Sequence, residues 1–220
     1  TSPSNYKTTA TATVMHQAAV NAIRGNGDTK YICVEMDNWG NIHRLSELTG
    51  SNDPDPWITD ALNKIVYSAH TYWDQDHSGI YNGGFNPNMP ANLIPEIGPF
   101  IQWGKNRNLK LLIGEFGVPE NDSRWLDLLR SFYQYCEDNK VWALTYWAAG
   151  DFYSAPTVIQ PQNNYTVDRP QMAVFEDFPG GVIPDPPPPP PDMRAISPLT
   201  PFISCPILVA KSDILESKLI

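Results

Sequence analysis

Residues 109–117, LKLLIGEFG, form an apolar run that ends in Glu115, set between Gly114 and Gly117. A buried strand gains nothing structural from an ionised carboxylate at its tip, because a charge removed from water is costly unless it is paired. The two glycines are expected to clear side chains from beside the carboxylate so that a substrate can approach. Phe116 and Val118 are expected to surround it with apolar surface. Glu115 is therefore the first candidate for a chemical role.

Three further runs resemble this one. Residues 30–40 (KYICVEMDNWG), 64–73 (KIVYSAHTYW) and 141–150 (VWALTYWAAG) are continuous apolar stretches rather than alternating ones. That pattern marks parallel strands covered on both faces, and it places the Cys33 thiol in the buried part of a strand. Helical periods lie between the strands. Residues 6–28 carry Val14, Ala18, Val20, Ala22 and Ile23 at helical spacing, closed by Gly25 and Gly27. Residues 53–64 open with prolines that suit a turn and a helix start. Residues 91–108 form a helix with Pro95 and Pro99 near its start or kinking it. The clearest amphipathic helix is 122–140, with Trp125, Leu128, Leu129, Phe132 and Tyr133 as its stripe and Asp122 or Ser123 as its cap. Residues 169–178 read as a last short helix.

Strand and helix thus alternate four times, as in a (β/α)8 barrel or a doubly wound sheet. No Gly-rich phosphate loop follows any strand, which disfavours nucleotide binding. Glu35, His70, Tyr72, Glu115 and Trp147 all fall at or near the carboxyl ends of their strands. A barrel gathers those ends at one mouth, where active sites are built. His70 and Tyr72 are two apart on a strand and share a face. A phenol there can orient a carboxylate through a hydrogen bond, and the imidazole can meet a sugar hydroxyl. Trp147, and more weakly Trp39, offer flat faces on which a sugar ring can stack.

The chain has 220 residues and a net charge of −9, with 15 Lys and Arg against 24 Asp and Glu. That sign argues against nucleic acid or an anionic membrane as partner. No apolar run approaches the roughly 20 residues of a membrane span. Three cysteines cannot close a disulfide framework. Asp74, Asp76 and His77 share a loop, but not with EF-hand spacing. His43 and the acidic residues are too scattered in sequence for a short-spaced metal motif. The expectation is no metal site and no cofactor. A Gly-x-Ser-x-Gly elbow is absent, so serine hydrolase chemistry is disfavoured.

Residues 19–40, 64–81 and 111–117, together with YWAAG at 146–150, resemble glycoside hydrolase family 5, the cellulase-type retaining β-glycosidases. The resemblance runs from about Tyr6 to Phe178, and DQDHSGIY after the histidine strand is most similar to the endoglucanase branch. It implies that Glu115 is the nucleophile closing the seventh barrel strand. It also implies that His70 and Tyr72 are the sixth-strand pair contacting substrate and nucleophile, and that Trp147 is the eighth-strand stacking residue. Members carry an Asn-Glu-Pro motif on the fourth strand, whose Glu is the general acid/base. No such motif is present here. Glu35 and Glu120 are the nearby spare glutamates, and Glu35 is weighed as a substitute acid.

The fold expected is therefore α/β: a partial (β/α)8 TIM barrel of about strands five to eight over residues 1–181. A polyproline linker at 182–192 and a tail at 193–220, too short for its own core and expected to be disordered, follow it. The chain lacks an initiator Met and reads as a piece of a larger protein. The expected function is hydrolysis of a β-glucan, with the acid/base missing and a polysaccharide or oligosaccharide as partner. The alternatives are a non-catalytic carbohydrate-binding protein and an inactive partial product. The open fifth and eighth strands are expected to promote association. Secretion follows by inference from a polymeric substrate.

Overall fold

The computed structural model describes residues 9–45, 55–150, 156–179 and 207–210. Four parallel strands carry the architecture: β1 (Ile32–Glu35), β2 (Ile65–His70), β3 (Lys110–Glu115) and β4 (Ala143–Tyr146), side by side in that order. Helix α1 (Thr9–Gly25) precedes β1. Helix α2 (Met89–Asn106) joins β2 to β3, and α3 (Ser123–Asp138) joins β3 to β4. A short α4 (Met172–Asp177) follows. These are consecutive βαβ units, and a sheet of this kind fits part of a barrel.

Helices α2 and α3 form where their apolar periods lie. In α3 the buried stripe is Trp125, Leu128, Leu129, Phe132, Tyr133 and Cys136, and Asp122 caps the helix by accepting a bond from Arg124 N–H at 3.0 Å. Helix α2 runs unbroken through Pro95 and Pro99 and buries Leu93, Ile97, Phe100, Ile101 and Trp103. The core lies between these helices and the sheet. Trp103 stacks on Trp57 at 5.4 Å and meets Tyr67 edge-on at 5.2 Å. Phe116 meets Phe132 at 4.7 Å and Tyr146 at 5.4 Å.

Three expectations are corrected. Cys33 is exposed, because β1 is an edge strand whose residues alternate between cover and solvent; the buried free thiol is Cys136. Residues 55–64 contain turns and no helix, since the Asp60 carboxylate takes the Lys64 N–H that a helix would have used elsewhere. Helix α1 forms as its spacing predicts, with Val20 covered and Val14 68% and Ile23 37% exposed. Finally, the outer edge of β4 is covered. Of the tail, expected to be disordered, Ile207–Ala210 form β5, antiparallel to β4. Its pairing satisfies edge groups that a bare strand would offer to another chain. Among the described residues the outer edge of β1 has no partner strand. The linker and the rest of the tail lie outside the described residues.

Polar clasps, not apolar burial, hold α1. Gln17 exchanges two hydrogen bonds with the Thr59 backbone, at 2.8 and 2.9 Å. Arg24 grips Asp60 with two bonds of 2.9 Å each. Those bonds from Arg24 hold the Asp60 carboxyl well below the usual carboxylate range, against the cost of burial and with help from the Lys64 and Leu62 N–H groups. A carboxylate whose folded pKa is depressed adds stability that is complete above its unfolded value, near 3.8, and fades as pH falls below it. Asp60→Asn is therefore expected to lower the urea midpoint at pH 7. Its deficit against the parent should shrink as the pH drops from about 5 to 2. Midpoints measured across that range check both the sign and the window.

Candidate active site

The parallel register sets the site. β2 pairs with β3 so that His70 stands beside Glu115, after a register shift at Ala69/His70. Tyr72, two residues beyond His70, donates its hydroxyl to Glu115 Oε2 at 3.0 Å. His70 Nδ1 lies 3.5 Å from the same oxygen. On its other side, His70 Nε2 bonds Glu35 Oε1 at the end of β1. One imidazole therefore stands between two carboxylates. Burial works against the Glu35 charge, but the hydrogen bond and charge of His70 outweigh it and keep that carboxyl below its ordinary range.

The glycines have a different use from the one expected. A Cβ on Gly114 would come within 2.9 Å of His70 Nε2 and 2.7 Å of Ser68 Oγ. A Cβ on Gly117 would strike the Trp147 carbonyl and approach Thr157. Both make room for neighbouring protein groups rather than for an approaching substrate. Gly40, with φ +69°, does the same on the other wall, where a Cβ would meet Glu35 and the His70 ring. Phe116 and Val118 are fully buried, and Phe116 packs on Phe132 and Tyr133 of α3.

One cleft of about 550 Å³ has Trp39, His43, His70, Tyr72, Glu115 and Trp147 on its walls. Trp147 follows β4, its N–H bonded to Phe116 O at 2.8 Å, and the Trp147–Ala148 peptide is cis. Trp39 is 62% exposed and sits with Asn38 in a left-handed turn, φ 58° and 53°. Trp39, His70, Tyr72, Glu115 and Trp147, singled out from the sequence, thus line the same cleft, whereas Glu35 stands behind His70 and does not line it. Glu120 does not line it and pairs with Arg169 instead.

Sequence reasoning missed three things. The first is the Glu35–His70 contact, made between β1 and β2 although their register sets Glu35 opposite Ser68. The second is the role of Asp74, whose carboxylate accepts from Ser78 Oγ and from the N–H groups of Gly79 and Tyr81, each at 3.0 Å. Asp74 therefore organises the loop after β2 from within, and it has few lone pairs left for a calcium ion. The third is a cluster of His43, His77 and Glu96 beside the cleft. Burial and the neighbouring His77 push His43 down to about 4, and burial pushes the Glu96 carboxyl up.

The fold and cleft have known relatives. The family model described as cellulase (glycosyl hydrolase family 5) matches residues 2–152. Endo-beta-1,4-glucanase B of Aspergillus niger is 30% identical over 141 residues, which are 63% of this chain and 40% of that protein. Endoglucanase 1 of Robillarda sp. is 28% identical over 196 residues, 84% of this chain and 46% of that protein. The chain therefore spans less than half the length of these curated relatives. Among solved structures, a Pseudomonas stutzeri endoglucanase in complex with cellobiose is 28% identical, with TM-score 0.64 over 75% of this chain and 49% of that one. An endo-beta-1,4-glucanase of Xanthomonas axonopodis pv. citri is 27% identical, with TM-score 0.65 over 76% and 54%. A match over most of the chain, on a parallel sheet of the same shape, makes it a member of glycosyl hydrolase family 5.

Proposed function

We propose that Glu115 is the nucleophile of a retaining endo-β-1,4-glucanase and that this chain carries the nucleophile half of that enzyme. The observation that supports this most is the Tyr72 hydroxyl donating to Glu115 Oε2 at 3.0 Å in a cleft walled by Trp39 and Trp147. That bond fixes the carboxylate and leaves its other oxygen to attack an anomeric carbon. In retaining chemistry the C1–O bond to the leaving group breaks as a C1–O bond to Glu115 forms, while a second carboxyl group protonates the leaving oxygen. Glu35 is badly placed for that second task, because the His70 ring stands where the glycosidic bond would have to lie. The acid/base then comes from the other half of a barrel. Two further features support a half-barrel: the edge of β1, which has no partner strand among the described residues, and the largely uncovered apolar positions of α1. The substrate class follows from the named activity of the relatives and from the cellobiose complex of the Pseudomonas stutzeri enzyme. A polymeric glucan places the complete enzyme outside the cell.

A substrate that needs no acid tests this directly. 2,4-Dinitrophenyl β-cellobioside expels a weakly basic phenolate, which leaves with its electron pair unprotonated. Incubation with the chain is expected to add one cellobiosyl group to the peptide containing Glu115, read by mass spectrometry. Modification elsewhere, or none, would remove the assignment.

The imidazole between the two carboxylates also favours a second reading, that this chain alone binds oligosaccharide without turning it over. Cellotetraose is then expected to bind weakly, and Trp147→Ala to weaken it about tenfold, a change of ~1.4 kcal/mol. Calorimetric titration of both proteins checks this. Equal affinities would mean that the indole is not a sugar platform.

A further inference from the structure

Three ligand-type side chains beside the cleft have no part in the chemistry above. His43 lies in the 3-10 turn Ile42–Arg44, His77 in the loop after β2, and Glu96 in α2. One ligand atom from each lies within 4.8 Å of the other two. The three come from segments far apart in the chain, which is why no short-spaced motif announces them.

The cluster is not a satisfied set of core polar groups. His43 Nε2 and Glu96 Oε2 are both buried with no hydrogen-bond partner. Leaving such atoms unpaired is unfavourable, and native structures rarely tolerate it without a reason. His77 is already oriented: its Nδ1 donates to the Tyr72 carbonyl at 2.9 Å, so Nε2 keeps its lone pair. A ring N–H given to a backbone carbonyl is the usual second-shell hold on a metal-binding imidazole. The two imidazole rings are 4.4 Å apart between centroids and tilted by 49°. Glu96 Oε2 is 4.0 Å from His77 Nδ1, too far for a hydrogen bond.

We infer that His43, His77 and Glu96 form a binding site for one divalent cation of the zinc class. Two imidazoles and one carboxylate suit zinc, cobalt or nickel, whereas calcium and magnesium prefer all-oxygen sets. Tetrahedral zinc with bonds of about 2.0–2.1 Å holds its ligand atoms about 3.3 Å apart. Ligand atoms within 4.8 Å of one another therefore have to close by about 1.5 Å to reach that spacing. Both histidines line the cleft, so the fourth position faces it and takes water. The ion would tie the 3-10 turn, the β2 loop and α2 into one wall. Because His77 also holds the Tyr72 carbonyl, that wall supports the residue that donates to Glu115.

The test uses the whole chain, stripped with EDTA and dialysed, with zinc chloride alone as the titrant. One equivalent is expected to bind with a micromolar or tighter dissociation constant, and calcium chloride is expected not to bind. The affinity should fall at least about tenfold in Glu96→Gln and in His43→Gln, with folding checked by circular dichroism. Cobalt(II) should give the intense visible absorption of a tetrahedral ion, which Glu96→Gln removes. If the buried substitutions unfold the chain, the more exposed His77→Asn should show the same loss. No stoichiometric uptake by the folded chain would overturn the site. Uptake unchanged in the folded variants would overturn it equally.

Discussion

Glu115→Gln is expected to abolish the burst of dinitrophenolate from 2,4-dinitrophenyl β-cellobioside, lowering its rate by about a thousandfold or more. The amide is nearly isosteric, so the fold and the cleft survive while the anionic oxygen is lost. An amide cannot form the glycosyl ester. The leaving group needs no proton, so the effect does not depend on a general acid. Hydrolysis of the ester does need a general base, so the parent should release about one equivalent and then stall. Two companions separate the roles. Tyr72→Phe removes the 3.0 Å bond to Oε2 but keeps the Glu115 carboxylate, and should slow the burst by about tenfold. Glu35→Gln should leave a burst, because Glu35 touches His70 and not the reacting carbon. A burst that persists in Glu115→Gln would place the nucleophile elsewhere. One that disappears in Glu35→Gln would exchange the roles of the two carboxylates.

Much of this layout was legible in the sequence because parallel strands place their carboxyl ends together. Once 64–73 and 109–117 are read as neighbouring strands, His70, Tyr72 and Glu115 must meet at one rim. The α3 stripe and the Asp122 cap were equally legible, since a helix states its period and its start locally. What was not legible depends on tertiary partners. The α1 stripe has helical spacing, yet nothing in its own residues says whether a neighbour covers it. Cys33 sits in an apolar run, but its burial depends on what flanks an edge strand. The glycines around Glu115 look like openings for a ligand until the His70 ring and the Trp147 carbonyl fill the space. His43, His77 and Glu96 converge from three segments, a relation that no window of sequence contains.

Phe132→Ala is expected to cost about 3–5 kcal/mol, the range for deleting a buried phenylalanine and leaving a cavity. Phe132 is completely buried, with ring centroids 4.7 Å from Phe116 and 5.1 Å from Trp73. Those contacts tie stability to the site. Phe116 follows Glu115 and Trp73 follows Tyr72, so one ring on α3 braces both site residues from behind the sheet. A whole domain holds roughly 5–15 kcal/mol, so this single deletion removes a large share of what keeps the chain folded. With a urea slope of about 2 kcal/mol per molar, the midpoint should fall by about 2 M. Phe132→Leu fills most of the space and should cost about 1 kcal/mol. The Leu variant remains folded, and it carries the functional part of the prediction. A loosened brace lets Phe116 and Trp73 shift, which lengthens the Tyr72–Glu115 hydrogen bond and slows the dinitrophenolate burst while the fold stays intact. If the Ala variant moves the midpoint by less than about 0.5 M, α3 is not docked on the sheet through this ring. If the Leu variant is as fast as the parent, the carboxylate owes its position to the strand register and to Tyr72 alone.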